Sequence, residues 1–596
     1  MTDSVTLEVI RNACIALCEE MNANLIRTGY SPNIKERRDC SCALFDADGE
    51  MISQAENMPV HLGAMPFSVR AAIDRFPPET LEPGDGILLN DPFYGGAHLP
   101  DLTLVTPIFY GGDGGDDAER GGDGDRELVA FAANRAHHAD VGGARAGSVA
   151  ADSTEIYQEG IRIPPVKLFE GGEANDAVFD MVLSNVRTPD ERRGDLRAQE
   201  AANQTGRRRF LELVEKYGRD TLTDALAEIQ DYSESRMRAE IEALDDGTYS
   251  FRDVLDDDGV GNEDLPIEAT VTVDGDGVAV DFEGSAAQTA GPVNAVLAVT
   301  ASATYYSIRC VTDPDIPPNH GCYRPIDVQA PEGSIVNPNP PAAVVGGNLE
   351  TSQRVTDVVL GALSQQAPER VTAAGQGTMN NVTFGGTDPR SDSPYAFYET
   401  QGGGFGGRAG KDGMDGVHVH MSNTMNTPVE VLETAYPLRV RRYELRQDSG
   451  GAGEFRGGLG LRRDIQVRDH EAHFSLLADR HQHQPYGLEG GDPGESGAAK
   501  LTTEDGETVR LPQKSTHELP AGATVSIRTP GAGGYGDPDD RDPDAVRRDV
   551  RHEKVSATAA RAAYGVDLDA NADNDDPTED PTDDPSGGAA TGGDDD

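Results

Sequence analysis

Lysine is nearly absent from this chain. Only seven of its 51 basic residues are lysine, they face 104 acidic ones, and the formal net charge is −53. The excess runs along the whole sequence. A field of that sign disfavours nucleic acid as a partner, and in dilute buffer its self-repulsion would destabilise a compact fold. A cytoplasm of molar salt resolves the conflict, so a halophilic source is expected. Cysteine is scarce too: six in 596 residues exclude a disulfide scaffold. Cys40 and Cys42 alternate around Ser41 on one strand face, with neither a second pair nor an adjacent His to make them ligands or nucleophiles. No stretch of about eighteen apolar residues occurs, and the N-terminus has neither a basic n-region nor an apolar signal core. A soluble cytoplasmic protein with no membrane partner is expected. There is no serine-nucleophile elbow and no recognisable ATP signature, so energy-coupled chemistry would draw its nucleotide from another subunit.

What is present reads as α+β, a large multidomain chain with mixed sheets. Length alone favours about three to four domains. Leu7–Arg27 has helical character behind Asp3, and Ala43–Phe45 leads into the hairpin signal Asp46-Ala47-Asp48-Gly49. Apolar spacing of three and four makes 176–245 helical, including Val178–Val186 and Gln199–Ala243. From about 246, Thr248–Val254, Ile267–Val273 and Val278–Phe282 alternate as strands. Ala295–Ile308 and Gln353–Ala367 read as buried helices, and Asp544–Tyr564 as a C-terminal helix. The expected divisions are 1–245 with an acidic insertion at 111–126, a β-rich region over 246–530, a loop and helix over 531–565, and a disordered acidic tail over 566–596.

Two polar knots stand out. Asn90-Asp91-Pro92 with His98-Leu99-Pro100-Asp101 precedes the strand-like Leu102–Phe109, and His137-His138-Ala139-Asp140 follows the strand-like Leu128–Ala133. A strand pair would bring both knots to one end of a sheet, where imidazole and carboxylate suit Zn, Mn, Fe or Ni. Capped turns or surface patches are the plain alternative. Extended backbone sends His137 and His138 to opposite faces, so one of them binds directly. His138 shares a face with Asp140, leaving His137 as a supporting group or proton carrier.

Other segments carry weaker signals. His61 sits in the apolar turn Asn57–Met65, and Gly346–Gln353 reads as a helix start with free amides suited to an anion. His418 and His420 share one face of a strand, as ligands or a proton relay. The glycine cluster 401–413 fails the phosphate-loop spacing at Phe405 and Asp412. Gly531–Gly536 matches a dinucleotide motif in letters only, since Asp537-Pro538-Asp539-Asp540 follows it rather than an apolar helix.

Taken jointly, several runs resemble the hydantoinase B/oxoprolinase family. They are Ser31–Asp39, Pro59–Gly63, the two knots through Gly143, Glu155–Pro165, Asn185–Arg187 with Gly194–Gln199, Gly346–Thr351, Asn423–Pro428 and Ser449–Gly453. The resemblance covers about residues 4–566. It implies a subunit working with a hydantoinase A-type partner that binds ATP and phosphorylates a small cyclic substrate. The B-type chain then completes the reaction at a divalent metal, Mn, Zn or Fe, within a hetero-oligomer. In hydrolytic members it opens a cyclic amide of the 5-oxoproline or N-methylhydantoin class. In related ketone carboxylases it joins an activated ketone to CO2, and a non-catalytic role beside the ATPase is a third alternative. On this basis His98, Asp101, His138 and Asp140 are expected as metal ligands, supported by His137 and Asp91. Glu155 or His61 is expected as base, and Arg187 and Arg408 as carboxylate or phosphate recognisers.

Overall fold

The computed structural model describes residues 3–55, 57–111 and 126–568. All but the ends of the expected insertion, and the tail beyond 568, lie outside those residues. The N-terminal periodicity makes helix α1 (Ser4–Thr28), whose first turn is closed by the Asp3 side chain accepting from the Thr6 N–H. Ile10, Cys14, Leu17, Cys18, Met21 and Leu25 recur at helical spacing and are all buried. Each such side chain contributes about 1.5–3 kcal/mol. A short turn, α2 (Pro32–Lys35), leads into the first sheet.

That sheet is built from β1 (Cys40–Asp46), β2 (Met51–Gln54), β3 (Gly86–Leu89), β4 (Asp101–Tyr110), β5 (Glu127–His137), β6 (Val166–Glu170) and β7 (Glu173–Ala174), in the order β2-β1-β5-β4-β3-β6-β7. Both faces are covered. Strand alternation sends Cys40, Cys42 and Leu44 into the core beneath α1, and Ala43 and Phe45 into the core on the other side. The second face receives α3 (Pro59–Arg75). Sequence reading took its first residues for a turn, but Pro59 at the first helical position pre-sets the helical φ, and the helix runs on from there. The helical middle becomes α4 (Asp176–Leu183), α5 (Pro189–Tyr217) and α6 (Arg219–Glu242), with α5 lying against β4 and β5.

The alternating segments after 246 form β8 (Gly247–Asp257), β9 (Glu263–Asp274) and β10 (Gly277–Asp281). With β11 (Ile326–Gln329), parallel to β10, they make a mixed sheet ordered β11-β10-β9-β8. The two expected buried helices are α7 (Leu297–Val311) and α8 (Ser352–Leu363), and α7 packs on α3. The largest apolar core runs from Ala43 to Leu477, taking residues from both sides of 245.

Two further sheets complete the second half. One holds β12 (Asn381–Asp388), β13 (Ser393–Glu399), β16 (Ala472–Leu477) and β19 (Lys514–Leu519). The other holds β14 (Leu438–Leu445), β15 (Leu461–Val467), β17 (Ala498–Thr502), β18 (Thr508–Leu511) and β20 (Thr524–Arg528). Helix α9 (Val429–Ala435) packs on β14. The glycine clusters are packing devices. A Cβ on Gly404, Gly406 or Gly531 would lie 1.7–2.2 Å from the carbonyl oxygens of Gly458, Ala373 and Ser449, so chain segments are layered at backbone contact. The expected single C-terminal helix is two, α10 (Pro543–Arg551) and α11 (Ala557–Tyr564): Glu553 turns left-handed, and Ser556 caps the second by accepting from the Ala559 N–H. His418 and His420 lie on an irregular segment rather than a strand.

Candidate metal centre

The two knots meet as a cross-strand pair. Asp101 opens β4, His137 ends β5, and the antiparallel register sets them directly opposite. His98, three residues before Asp101, closes the group. His98 Nδ1 stands 3.2 Å from Asp101 Oδ2, His137 Nδ1 is 3.2 Å from Asp101 Oδ1, and His98 Nε2 is 3.2 Å from His137 Nδ1. From α3, His61 Nε2 faces Asp101 Oδ2 at 3.3 Å. Its Nδ1 is 3.3 Å from Ser41 Oγ, which also accepts from the Met58 N–H. That hydroxyl therefore has its proton free for Nδ1, which leaves the His61 N–H on the Asp101 side.

All four side chains are buried. Burial alone would raise the Asp101 carboxyl; the charges of His98 and His61 and the hydrogen bond from His137 outweigh it and hold it well below its ordinary value. Burial lowers His137, favouring a neutral ring. Despite the short distances, His98 Nδ1, Asp101 Oδ2 and His137 Nε2 make no aligned hydrogen bond. One donor atom each from His98, Asp101 and His137 lies within 4.8 Å of the others. The three residues hydrogen-bond to one another through His137 Nδ1, yet each keeps one buried atom without an aligned partner, and two imidazoles with one carboxylate suit Zn, Mn or Fe.

The expected ligand set divides differently. Alternation along β5 does separate the two histidines, and it is His137 that faces Asp101. His138 points the other way, where its Nε2 donates to Gln199 Oε1 on α5 at 3.0 Å. Gln199 can only accept there, because its amide group donates to Leu102 O and Asn134 Oδ1. Burial pushes His138 down to about 4. Asp140 does not join the group either. Buried in the loop after His138, it accepts from the backbone N–H groups of Gly142, Gly147 and Arg187 and from Arg187 Nη1 at 2.8 Å. Arg187 also donates to Gly142 O and Gly143 O, so this guanidinium ties a loop together. Asp91 caps a turn through the Phe93 N–H and pairs with Arg162 at 2.9 Å. Glu155 is exposed, in a turn whose N–H groups are held by Gln158, and Arg408 is exposed in the glycine cluster.

Sequence reading missed the lid on His137. Tyr398, on β13, stacks on its ring with centroids 4.5 Å apart at 16°. The Arg37 guanidinium lies 5.0 Å from the Tyr398 ring centroid and donates to Tyr398 O and Thr400 Oγ1. No local pattern marks Tyr398, since the contact joins opposite halves of the chain. Arg135 was missed as well, although strand alternation places it on the face of His137. It donates to Thr103 and Ser68, and burial pushes it down to about 10.

This chain matches the hydantoinase B/oxoprolinase family over residues 3–538. It belongs to that family. An uncharacterised protein of Methanocaldococcus jannaschii is 42% identical, over 95% of this chain and 96% of that one. A candidate B-type chain of a D-/L-hydantoinase from Pseudomonas sp. is 34% identical, with 95% of each covered. Arabidopsis thaliana 5-oxoprolinase 1 is 37% identical over 90% of this chain, which spans 42% of that longer protein. Among solved structures, the ATP-dependent caprolactamase of Pseudomonas jessenii superposes with a TM-score of 0.87 at 32% identity, covering 96% of this chain and 97% of that one. A nucleotide-free acetone carboxylase shares the fold, with a TM-score of 0.84 at 20% identity over 94% and 79% of the two chains. Among the described residues no helix is long and apolar enough to cross a membrane.

Proposed function

We propose that this family member is the B-type component of an ATP-dependent cyclic-amide hydrolase of the 5-oxoproline or N-methylhydantoin class. An A-type partner would bind ATP and activate the ring by phosphorylation. The observation that carries the reading is the buried convergence of His98, Asp101 and His137 at one end of a strand pair, each keeping one polar atom without an aligned partner. Relatives above 30% identity that include 5-oxoprolinase 1 and a caprolactamase support hydrolysis. The acetone carboxylase likeness supports the fold only.

His98, Asp101 and His137 would hold the ion. When bound, a divalent ion supplies Lewis-acid polarisation of an acyl oxygen and a water that ionises near neutral pH. Tyr398 fixes the plane of the His137 ring, and the surrounding core keeps bulk water from the donors. His61 presents its N–H toward Asp101 Oδ2 and is the nearest further group able to hold a proton at the site. Arg187 and Arg408, engaged in a loop and exposed respectively, are left outside substrate recognition.

The test is turnover of 5-oxoproline and N-methylhydantoin by the chain co-expressed with its A-type neighbour, with metal content measured first. Molar KCl is the appropriate medium for a net charge of −53. ATP-dependent ring opening that needs no bicarbonate and stops on chelation is the expected result. ATP use that requires bicarbonate and a ketone would replace hydrolysis by carboxylation. An intact complex whose turnover is unchanged in Asp101→Asn would remove the metal centre from the chemistry.

A further inference from the structure

Every described hydrogen bond of the His137 ring falls on one atom. Asp101 Oδ1 and His98 Nε2 each stand 3.2 Å from Nδ1, and Nε2 keeps no aligned partner. Contacts at one atom pin a point rather than a plane. An imidazole nitrogen binds an ion in the plane of its ring, so that plane decides where His137 can meet one. The plane is set by the Tyr398 ring, stacked on it at 4.5 Å and 16°. What holds Tyr398 therefore matters to the metal centre.

The Tyr398 hydroxyl donates to Asn381 Oδ1 at 3.0 Å. Asn381 opens β12, and its Nδ2 donates to Leu477 O at 3.0 Å and to Glu350 Oε1 at 2.8 Å. Turned over, the amide would set its oxygen against those two acceptors, so they decide which end faces Tyr398. Glu350 is seated in turn by the Met379 N–H, which donates to the same Oε1 at 3.2 Å. Glu350, Asn381 and Tyr398 are all buried.

The glutamate stands on a π-type turn (Gly347–Thr351) ahead of α8, closed where the Ser352 N–H reaches back to Gly347 O. In sequence this stretch reads as a helix start open to an anion. In the structure its five residues are all buried, and it turns a carboxyl of its own inward. Among the described residues no base pairs with Glu350; Lys514, whose charge reaches it, is paired with Asp479 at 3.0 Å. Burial pushes Glu350 from 4.5 up to about 8, so near neutral pH it is mostly protonated. Oε1, which receives two N–H groups, is then its carbonyl oxygen.

We propose that Glu350 is a positioning residue for the metal centre: through Asn381 and Tyr398 it fixes the plane of the His137 ring, and with it the direction from which that histidine meets an ion. The inference deepens the proposed function and rests on it for the ion. Two readouts keep the two apart. Crystal structures of the full chain without metal, unaltered and as Glu350→Leu, compare the planes of His137 and Tyr398. Titration of the full chain with Co2+ in molar KCl at neutral pH, followed by visible absorption, measures the consequence.

Glu350→Leu is expected to turn the two planes apart and to weaken Co2+ binding about tenfold or more, the range for groups that orient a metal-bound histidine. Glu350→Gln keeps an accepting Oε1 and the charge of the protonated acid, so it is expected to stay within about threefold of the parent, below that range. Tyr398→Phe keeps the stacked ring but releases Asn381, and is expected to match Glu350→Leu. Combining the two should cost no more than the larger single loss, because both break one chain of contacts. Unchanged planes in Glu350→Leu, parent affinity in Tyr398→Phe, a loss in Glu350→Gln as large as in Glu350→Leu, or additive losses would each overturn the assignment. If Glu350→Leu does not fold, Tyr398→Phe still decides. A parent chain that binds no Co2+ while the planes turn in Glu350→Leu would defeat the metal reading and leave the positioning of His137 standing.

Discussion

Two of the buried polar clusters among the described residues are built on opposite plans. In the second half, Asp253, Asp357 and Asp479 meet Arg354, Arg480 and Lys514. Arg354 pairs with Asp253 and Asp479 at 2.8 and 2.9 Å, Arg480 with Asp253 and Asp357 at 2.7 Å each, and Lys514 with Asp479 at 3.0 Å. Three acids face three bases, so the protein supplies its own counter-ions. At the strand-pair end, one carboxylate sits among three imidazoles, and donor atoms on His98, Asp101 and His137 have no aligned partner. The first cluster balances its charges internally, although Arg354 Nε, Asp357 Oδ1 and Arg480 Nε keep no aligned partner, whereas the second sets its carboxylate among imidazoles with no described guanidinium or ammonium paired to it. Buried charge that is internally neutralised holds a fold together, whereas buried donors left converging mark a place for something else.

The comparison can be broken from the second-half side first. Asp479→Ala strands Arg354 and Lys514 in a buried setting and is expected to cost about 3–5 kcal/mol. Denaturant unfolding in matched salt measures it, and a loss below about 1 kcal/mol would show that the network is dispensable. Metal content per folded molecule should not change in this variant.

At the strand-pair end the expected effect is conditional on the ion. With metal at a hundredfold excess over its Kd, the unaltered chain should gain about 2.7 kcal/mol over the chelated form. Asp101→Asn should gain none and bind no ion, and an unchanged metal response would sink the ligand assignment. Without metal the variant should be less stable than the parent, because it removes the carboxylate that the charges of His98 and His61 and the hydrogen bond from His137 favour in the folded state.

A third test concerns a carboxyl with no cation at all. Glu159 is buried and accepts from the Val344 and Val345 N–H groups, and burial outweighs those bonds to push it from 4.5 up to about 8. Between those values the folded state binds more protons than the unfolded one. Stability contributed by the neutral form is therefore complete below 4.5 and falls as pH rises toward 8, with a slope of up to about 1.4 kcal/mol per pH unit. Glu159→Gln should flatten this slope, and an identical pH dependence in the variant would refute the assignment. The smallest effect is expected at Arg408, exposed and unpaired with any described carboxylate. Its replacement by Ala should stay within about 0.5 kcal/mol and leave turnover unchanged.

Legibility from sequence followed the range of the interaction. Helix α1 with its Asp3 cap, the β4 and β5 segments and the alternation of β8 to β10 were readable, because each depends on neighbours within a few residues. The meeting of the two knots was readable for the same reason, through strand pairing. Which of His137 and His138 faces Asp101 was not. Alternation says only that the two part, and the face is chosen by what covers it: Gln199 of α5 on one side, α3 and Tyr398 on the other. The single helix expected over Asp544–Tyr564 failed on a local break at Glu553, which composition did not announce.

The ladder between β4 and β5 runs from Asp101 opposite His137 to Tyr110 opposite Glu127. Asp101 and His137 are thus fixed at one end of a ruler whose other end lies about 30 Å away at strand rise. Changes made at that far end leave the ligand spacing unchanged. An affinity handle, a surface tether or a spectroscopic label joined at that end would therefore stand a full strand length from the buried histidines.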